Sequence, residues 1–298
     1  MPGPPARSLS AVDLICIGDV MLDVHARFGQ LARGGDVHGR VLVQPGGTSA
    51  NTAVWGAWDG ARSAVVAAVG DDLLGELLIR SLNERGVHTG WVRRHAARTG
   101  TMLVALEEGE RSMVADRGAN ATLTASDLPA LEAGAVLVSG YLLLQEPGYD
   151  TALAALERAR SPFLAVEAAS WPLVEAFGAD RYFDETSSAT VVLANEDEAR
   201  ALTGLEGAEA ARALGEHYRV AAVKRGADGA ALVVDGALYE AAAEPADEVD
   251  PTGAGDAFDG VLLGRLVRGE EPQAALEAAC RAGASVVASA QMWPEART

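Results

Sequence analysis

Lysine is nearly absent from this chain of 298 residues. Lys224 is the single lysine, and arginine supplies the rest of the 24 basic residues. The chain also carries 42 acidic residues, which give a formal net charge of −18 at pH 7. A surface of that sign repels the phosphates of nucleic acids and anionic membranes, so neither is an expected partner. A small phosphorylated molecule stays compatible, because a local site can oppose the overall field.

Cysteine is also scarce. Cys16 and Cys280 do not belong to a C-x-x-C pair, which excludes a zinc ribbon or a disulfide framework and favours a reducing compartment. No apolar run approaches the length of roughly 20 residues that a membrane-spanning helix needs. Aspartates interrupt the apolar stretch that follows the proline-rich segment 1–10, unlike in a signal peptide. We therefore expect a cytoplasmic protein.

Two common phosphate-binding motifs are missing as well. No G-x-x-x-x-G-K-[ST] sequence occurs, which excludes a Walker A loop. The segment "DPTGAGDAFDG" at 250–260 has the spacing G-x-G-x-x-x-x-G and lies near the C-terminal end, so it is not the dinucleotide fingerprint either.

Short apolar runs of strand length alternate with runs of helical length along most of the chain. Strands are predicted at 13–19, 63–70, 135–140, 163–168, 190–195, 220–226 and 229–236, and helices at 48–61, 73–86, 149–160, 196–203, 255–268 and 273–290. Continuous apolar strands joined by helices predict an α/β fold, with a mostly parallel central sheet covered by helices on both faces.

Residues 24–44 and 99–117 depart from this rhythm. Apolar and polar residues alternate there, which predicts half-exposed antiparallel strands, and "EEGE" at 107–110 is a plausible hairpin turn. We interpret the two segments as a small β lid within a single domain that spans 1–298. An exposed β face on this lid would also allow the chain to form a homodimer.

The glycines of 250–260 precede a predicted helix. In an open parallel sheet, ligands bind at the carboxyl ends of the strands. Gly253, Ala254 and Gly255 would present backbone N–H groups at the helix N-terminus, where partial positive charge and unpaired donors suit an anion. The segment therefore predicts a phosphate site.

The three aspartates of the same segment differ in their expected roles. Asp256 falls in the first helical turn, where it would either accept the proton of an attacking hydroxyl or simply cap the helix. Asp259 is expected to face solvent. Asp250 would cap the loop or help to bind a cation.

Seven segments in order resemble the ribokinase-like (PfkB) carbohydrate kinases. "DPTGAGDAFDG" is similar to the second signature of that family, D-T-x-G-A-G-D-x-F-x-G, and "PGGTSANTA" at 45–53 is similar to the first. The other matching segments are 18–23, 69–75, 117–120, 195–204 and 223–230. The resemblance implies a ribokinase-like three-layer α/β/α sandwich that transfers the γ-phosphoryl group of ATP to a sugar hydroxyl, with Mg²⁺.

The resemblance also implies roles on the phosphate side. Asp256 matches the general base, and the backbone of Gly253–Gly255 matches the anion hole. Asn195 and Glu198 match an N-x-x-E element that organises Mg²⁺ and its waters, although Glu198 would also serve as an ordinary acid on a helix surface. Lys224, Gly226 and Gly229 match a K-x-G-x-x-G turn whose backbone lies against the nucleotide, with the lysine in loose contact with phosphate at most.

On the acceptor side, the matching positions are Asp23, Gly46, Gly47 and Asn51. Carboxylates and amides offer several hydrogen-bonding sites each, as recognition of sugar hydroxyls requires. Arg117 would steady a phosphate or a sugar acid, or pair with an acid of the lid. Tyr141 would contact the sugar or serve in packing.

The identity of the acceptor is left open. Met21 stands where ribokinases carry asparagine, and Tyr141 stands where they carry glutamate, so both count against ribose. The stretch 165–173 contains Glu167 and no arginine, which counts against a clamped sugar acid. Met21 and Trp171 would suit the base of a nucleoside. The alternatives to a sugar kinase are a nucleoside kinase and a catalytically silent sugar- or nucleotide-binding regulator, and the presence of Asp256 with an intact G-A-G favours an enzyme.

Departures from the family pattern also make the binding of a monovalent cation doubtful. Asp250 and Thr252 match one half of the potassium loop of the family. The other half normally comes from a Gly-Ala stretch after the last helix, and "ASAQMWPEA" lacks the glycine. We expect weak or absent activation by K⁺.

Overall fold

Thirteen strands form two separate sheets in the described part of the chain. The computed structural model describes residues 12–30, 34–108, 110–246, 249–289 and 291–296; the proline-rich segment 1–10, residues 31–33 of the predicted lid and Gly109 of the predicted turn lie outside these ranges. The strands are β1 Leu14–Ile17, β2 Met21–Phe28, β3 Gly39–Gly46, β4 Ser63–Gly70, β5 His88–His95, β6 Thr101–Glu107, β7 Glu110–Asp116, β8 Ala135–Val138, β9 Phe163–Glu167, β10 Val191–Asn195, β11 Val220–Lys224, β12 Ala230–Val234 and β13 Ala237–Ala241.

The larger sheet has nine strands in the order β13-β12-β11-β10-β9-β8-β1-β4-β5. All neighbours from β11 to β5 pair in parallel, and β12 and β13 add an antiparallel edge. Every predicted strand of this body is present with ends displaced by at most a few residues. The edge strands β5 and β13 were not predicted, because their exposed residues break the apolar pattern of a buried strand.

Helices cover both faces of this sheet. They are α1 Thr48–Trp58, α2 Leu73–Glu84, α3 Gly140–Leu143, α4 Tyr149–Arg158, α5 Trp171–Phe177, α6 Ala179–Glu185, α7 Glu196–Thr203, α8 Gly207–Leu214, α9 Ala254–Val267 and α10 Pro272–Val287. Alternate residues of β1 enter different cores, because successive side chains of a strand point to opposite faces. Leu14 packs in the cluster with α1, α2, α9 and α10, and Ile15 in the cluster with α3 to α8. The predicted three-layer sandwich is confirmed.

Helices α1 and α9 cross in backbone contact. A Cβ atom on Gly260 would lie 2.3 Å from the carbonyl oxygen of Thr52, and one on Gly56 would lie 3.3 Å from the carbonyl oxygen of Gly260. Only glycine allows this approach. The crossing brings the N-terminal halves of two helices, and with them Asn51 and Asp256, to one edge of the sheet.

The smaller sheet has four strands in the order β3-β2-β6-β7. Its outer pairs are antiparallel, as the alternating pattern predicted, but the central pair β2–β6 is parallel. Glu107 pairs with Glu110, so β6 and β7 form the hairpin expected at that turn. One face carries Val41, Val43, Leu103 and Val114, all well exposed, while the opposite face turns toward the larger sheet.

No helix among the described residues combines the length and the apolar character that crossing a membrane would require.

Candidate active site

A cleft of about 1060 Å³ lies between the carboxyl ends of the parallel strands and the inner face of the small sheet. All of the site residues predicted from the sequence line this cleft, except Gly46 and Asp250. The strands β9, β10 and β11 end there at Glu167, Asn195 and Lys224. The cleft is thus at the edge where an open parallel sheet binds its ligands.

The N-terminus of α9 opens into the cleft. Gly253 caps the helix with φ 83°, a left-handed conformation that favours glycine. The first N–H groups of a helix have no intrahelical acceptor, so this turn offers donors to an anion. One of the three predicted donors is already used, since the N–H of Ala254 donates to the carbonyl oxygen of Pro251 at 3.1 Å.

Asp256 lies in the first turn of α9 and is held by a side chain rather than acting as a cap. Nδ2 of Asn51 donates to Oδ2 of Asp256 at 2.6 Å, and Nε1 of Trp293 donates to Oδ1 of Asn51 at 2.6 Å. Burial raises the pKa of Asp256 to about 7; the bond from Asn51 opposes this shift and the carboxylate of Asp259 adds to it. A carboxyl group that titrates near neutral pH is suited to general-base work.

Asp259 does not face solvent, so that prediction was wrong. Its side chain is fully buried, and its Oδ2 accepts a hydrogen bond from Nζ of Lys224 at 2.7 Å. The cause is that α9 is packed between α1, α10 and the sheet and therefore has little polar surface. Residues three apart share a helix face, so Asp259 points to the same side as Asp256. The stretch GVLLG directly after Asp259, which has no polar side chain, was the signal that could have shown its burial.

Lys224 lies closer to the site than the sequence suggested. A Cβ atom on Gly255 would be 3.4 Å from Nζ of Lys224, so the ammonium group lies against the first turn of α9. Burial alone would lower the pKa of Lys224, but the carboxyl groups of Asp259, Glu167 and Glu198 outweigh it and raise the pKa. The lysine therefore stays charged.

Asn195 and Glu198 form a capping box at the start of α7. The backbone N–H of Asn195 donates to Oε2 of Glu198 and its Nδ2 donates to Oε1, both at 2.8 Å, while the N–H of Glu198 donates to Oδ1 of Asn195. Glu198 is buried, and burial raises its pKa. The alternative of an ordinary acid on the helix surface is therefore wrong.

Glu167 is a cleft residue that sequence reasoning did not select. Its Oε2 atom is buried and has no hydrogen-bond partner within the described ranges. Burial raises its pKa well above the usual value, and the nearby carboxyl groups of Asp256 and Asp259 raise it further. Its place at the end of a predicted strand, in line with Asn195 and Lys224, was the available signal.

The glycine-rich turn after β11 forms another part of the cleft wall. Gly226 and Gly229 have φ 55° and 84°, and a Cβ atom on Gly229 would lie 1.9 Å from the carbonyl oxygen of Ala241. Small residues of α10, among them Gly283 and Ala284, also line the cleft. This wall can therefore approach a flat ligand closely.

The end of the cleft that the sequence predicts to take the acceptor contains Asp23, which is buried against the Gly-Gly turn. A Cβ atom on Gly46 would lie 2.4 Å from Oδ2 of Asp23, and Gly47 has φ 96°. Oδ1 of Asp23 is without a partner among the residues that the structure describes. Burial raises the pKa of Asp23 to about 6, an effect that the neighbouring His25 opposes. Gly46 supports the site from behind rather than lining it.

Arg117 pairs with an acid, but not with one of the lid. Its Nη2 donates to Oδ1 of Asp19, in the segment after β1, at 2.6 Å, and its Nη1 donates to the carbonyl oxygen of Tyr141 at 2.7 Å. The charge of Arg117 is therefore balanced before any ligand binds. Tyr141 lines the cleft, and burial raises the pKa of its hydroxyl.

An apolar wall lies beside Asp23 in the cleft. Met21, Met102, Val104 and Met113 lie on the inner face of the small sheet and line the cleft. Trp171 is 46% exposed at the start of α5 and is not among the residues that line the cleft. The suggested contact of Trp171 with a base is therefore not supported, whereas that of Met21 remains open.

Asp250 joins the small sheet to the loop that precedes α9. Its Oδ2 lies 3.0 Å from Nδ1 of His25, and its Oδ1 accepts a hydrogen bond from the N–H of Thr252 at 2.9 Å. Burial acts to raise the pKa of Asp250, but the bonds from His25 and Thr252 prevail and lower it. Nη2 of Arg27 also donates to the carbonyl oxygen of Val249 at 3.0 Å.

Comparison with known proteins gives a consistent result. Residues 12–292 match the model of the PfkB family, described as pfkB family carbohydrate kinase. The chain is 32% identical to a fructokinase of Escherichia coli over 76% of its own length and 78% of the relative, and 30% identical to a ribokinase of Bacillus subtilis over 82% of each. It shares its fold with an adenosine kinase of Sinorhizobium meliloti, with a TM-score of 0.83, 22% identity and 96% of each chain covered.

Proposed function

Because the chain belongs to the PfkB family of carbohydrate kinases, which are phosphotransferases acting on alcohols, we propose that it phosphorylates a small polyhydroxylated acceptor with ATP. The observation that carries this proposal is the placement of Asp256. Its carboxylate is held by Asn51 beside the N-terminal turn of α9, in a cleft large enough for two ligands. The acceptor class, rather than the kinase chemistry, is the open part.

The geometry supports in-line transfer with one proton acceptor. Asp23 and Asn51 hold the acceptor, and Asp256 takes the proton from its attacking hydroxyl. The new bond forms between that oxygen and the γ-phosphorus, while the bond from phosphorus to the ADP oxygen breaks and its electron pair leaves with ADP. The N-terminal turn of α9 stabilises the charge on the phosphoryl oxygens.

The residues near Glu198 fit Mg²⁺. The orphaned oxygen of Glu167 and the buried carboxyl group of Glu198 offer the hard oxygen donors that this ion prefers. The described residues contain no cluster of three acidic, histidine or cysteine side chains that could hold a metal, so water and phosphate oxygens would complete the coordination. When bound, Mg²⁺ supplies neutralisation of phosphate charge.

The cleft favours a neutral acceptor. Arg117 is already paired with Asp19, and Asp23 adds an unpaired carboxyl oxygen, so an acid or phosphate group would meet uncompensated negative charge. A nucleoside is the second candidate, because Met21, Met102 and Met113 form an apolar wall that suits the face of a base. A catalytically silent regulator is disfavoured by the supported carboxylate of Asp256.

A screen of ATP consumption tests the function. ADP release would be measured with aldoses, ketoses, nucleosides, sugar acids and sugar phosphates, each beside a reaction without acceptor. We expect a neutral sugar or nucleoside to raise the rate at least about tenfold, and acids and phosphates to raise it less. If no acceptor stimulates ADP release while ATP still binds, the silent-regulator alternative stands instead.

The small sheet is proposed to act as the lid of a single kinase domain. Acceptor binding would bring the described parts of 24–44 and 99–117 closer to the cleft and exclude water, which limits hydrolysis of ATP. Amide hydrogen exchange with and without acceptor tests this, and unchanged protection in both segments would contradict it.

The outer face of the same sheet supports the proposal of a homodimer. Val41 is 66% exposed and Val114 is 65% exposed, and Val43 and Leu103 are exposed on the same face. Light scattering at several concentrations would show a dimer, and a Val41→Glu, Val114→Glu variant should be monomeric. A monomeric wild-type protein at micromolar concentration would refute it.

We also propose a cytoplasmic location, consistent with the free buried thiols of Cys16 and Cys280.

A further inference from the structure

Lys224, the single lysine of the chain, lines the cleft and is paired with Asp259, which is buried behind the cleft wall. Nζ lies 2.7 Å from Oδ2, with the lysine side chain 14% exposed and the aspartate fully buried. The family signature D-T-x-G-A-G-D-x-F-x-G leaves position 259 free to vary. The ion pair is therefore a feature of this chain and not a requirement of the motif.

The pair places its positive charge at the phosphate site. Nζ of Lys224 lies 3.4 Å from the position of a Cβ atom on Gly255, alongside the turn whose N–H groups face the cleft. Asp256 and Asp259 share a helix face, so the ammonium group lies near both carboxylates. It thus stands beside the proposed base and next to the proposed anion hole.

Fold stability does not explain the pair. Removing two charges from water costs about as much as their attraction returns, and apolar residues of similar size are often as stabilising or more so. The geometry is also incomplete, since Oδ1 of Asp259 is buried with no partner in the described part of the chain. A half-satisfied buried pair at the wall of a cleft, with only its lysine reaching the cleft, indicates a role in binding or chemistry.

The charges around Lys224 show why a cation is needed there. The carboxyl groups of Glu167, Glu198, Asp256 and Asp259 all lie close enough to perturb one another or the lysine. Among the described residues that line the cleft, Arg117 is the other cationic side chain, and Asp19 engages it at the acceptor end. An incoming phosphate would otherwise meet a cluster of carboxylates.

We propose that Lys224 contacts the transferring phosphoryl group and that Asp259 is the positioning residue that holds the ammonium against the first turn of α9. This inference rests on the proposed kinase function. Negative charge on the phosphoryl oxygens must be stabilised while the bond to ADP breaks, and a cation fixed in advance does so without rearrangement. Lys224 transfers no proton in this step, because Asp256 receives the proton of the acceptor. Asp259 also keeps the ammonium from pairing with Asp256.

Single and double substitutions test both roles. Lys224→Met should lower kcat by about 10²- to 10³-fold, with the KM of the acceptor changed by less than about threefold, as for removal of one group that acts mainly in the transition state. Lys224→Arg should recover part of the loss. Arg219→Met is the matched control, because this exposed arginine precedes the opposite end of β11 and lies outside the cleft.

Asp259→Asn should lower kcat by about tenfold. It should also move the acid limb of the pH profile to lower pH, because the carboxylate that raises the pKa of Asp256 is gone and the released ammonium would pair with Asp256. In the Lys224→Met background the same change should cost no more than about twofold, since Asp259 acts through Lys224. A merely structural role would lower the thermal midpoint and would cost the same factor in kcat with Lys224 present or replaced. Additive losses in the double variant would overturn the positioning role.

Binding of ADP with Mg²⁺ and aluminium fluoride, a mimic of the transferring phosphoryl group, needs no acceptor. Calorimetry should show that the fluoride complex binds more tightly than ADP alone to the wild-type protein, and that Lys224→Met loses most of this gain. An equal gain in both proteins, or a kcat of Lys224→Met within about threefold of wild type, would overturn the assignment. A wild-type protein that phosphorylates no acceptor would refute the proposed function, while this measurement would still judge Lys224.

Discussion

The proposed phosphoryl end and the proposed acceptor end of the cleft are built from different parts of the molecule. Lys224, Glu198 and Asp256 belong to strand ends and helices of the nine-stranded body, and each has a side-chain partner in place. At the acceptor end, Asp23 and the methionines come from the small sheet, and Met113 is still 48% exposed. On the proposed function, the well-connected body would hold the groups that carry the chemistry, while the thinner and more open sheet would select the acceptor.

The largest effect is expected at the phosphoryl end. Asp256→Asn removes the proposed proton acceptor but keeps the shape of the side chain, so kcat should fall by about 10³-fold or more while ATP binding changes little. Steady-state kinetics and calorimetry with ATP would measure the two quantities. Asp184→Asn, at an exposed site on α6, is the control. Near-normal turnover of Asp256→Asn would show that the base has been misassigned.

A smaller and different effect is expected at the acceptor end. Asp23→Ala removes a carboxylate that would accept a hydrogen bond from the acceptor. A hydrogen bond to a charged group contributes about 1.5–3 kcal/mol, so the KM of the acceptor should rise by about 10- to 100-fold. The KM of ATP should be unchanged. If Asp23→Ala instead lowered kcat as much as Asp256→Asn does, the two ends would not be separable and the comparison would fail.

The pH dependence should come mainly from the phosphoryl end. Asp256 must be ionised to accept a proton, and its pKa is about 7, so kcat/KM should fall about tenfold per pH unit below that value. The fall should steepen below pH 6, where Asp23 also takes up a proton. A profile measured from pH 5 to 9 checks this, and a flat profile between pH 5.5 and 8 would contradict the assignment.

Monovalent cations should have the smallest effect. The carboxylate of Asp250 already contacts His25 and the N–H of Thr252, and the stretch after α10 lacks the glycine of the family pattern. Rates in buffers of K⁺, Na⁺ and Tris at equal ionic strength should therefore agree within about twofold. A strong requirement for K⁺ would show that a cation displaces these contacts.

Sequence patterns were sufficient for the body of the fold and for most of the cleft. Buried parallel strands are continuous apolar runs, and turns whose backbone needs a positive φ, such as those at Gly47, Gly229 and Gly253, favour glycine, so both leave a local signal. The exposed edge strands β5 and β13 leave a weaker one. The roles assigned to Asp256, Lys224 and the other site residues remain predictions.

Contacts between distant segments could not be predicted in the same way. The burial of Asp259 follows from helices that pack on α9 from elsewhere in the chain. The place of Glu167 in the cleft follows from the pairing of β9 with β10 and of β10 with β11. The pairing of Arg117 with Asp19 likewise joins positions 98 residues apart. A single sequence shows periodicity within an element, but not which neighbour that element meets.

The hydrogen bond from Trp293 to Asn51 fixes the orientation of the Asn51 side-chain amide. An indole N–H can only donate, so the atom of Asn51 that it contacts must be the amide oxygen. The NH₂ group of Asn51 is thereby forced to point at Asp256, which would otherwise face a second oxygen. A tryptophan 242 positions away in the sequence thus decides which end of an amide Asp256 meets.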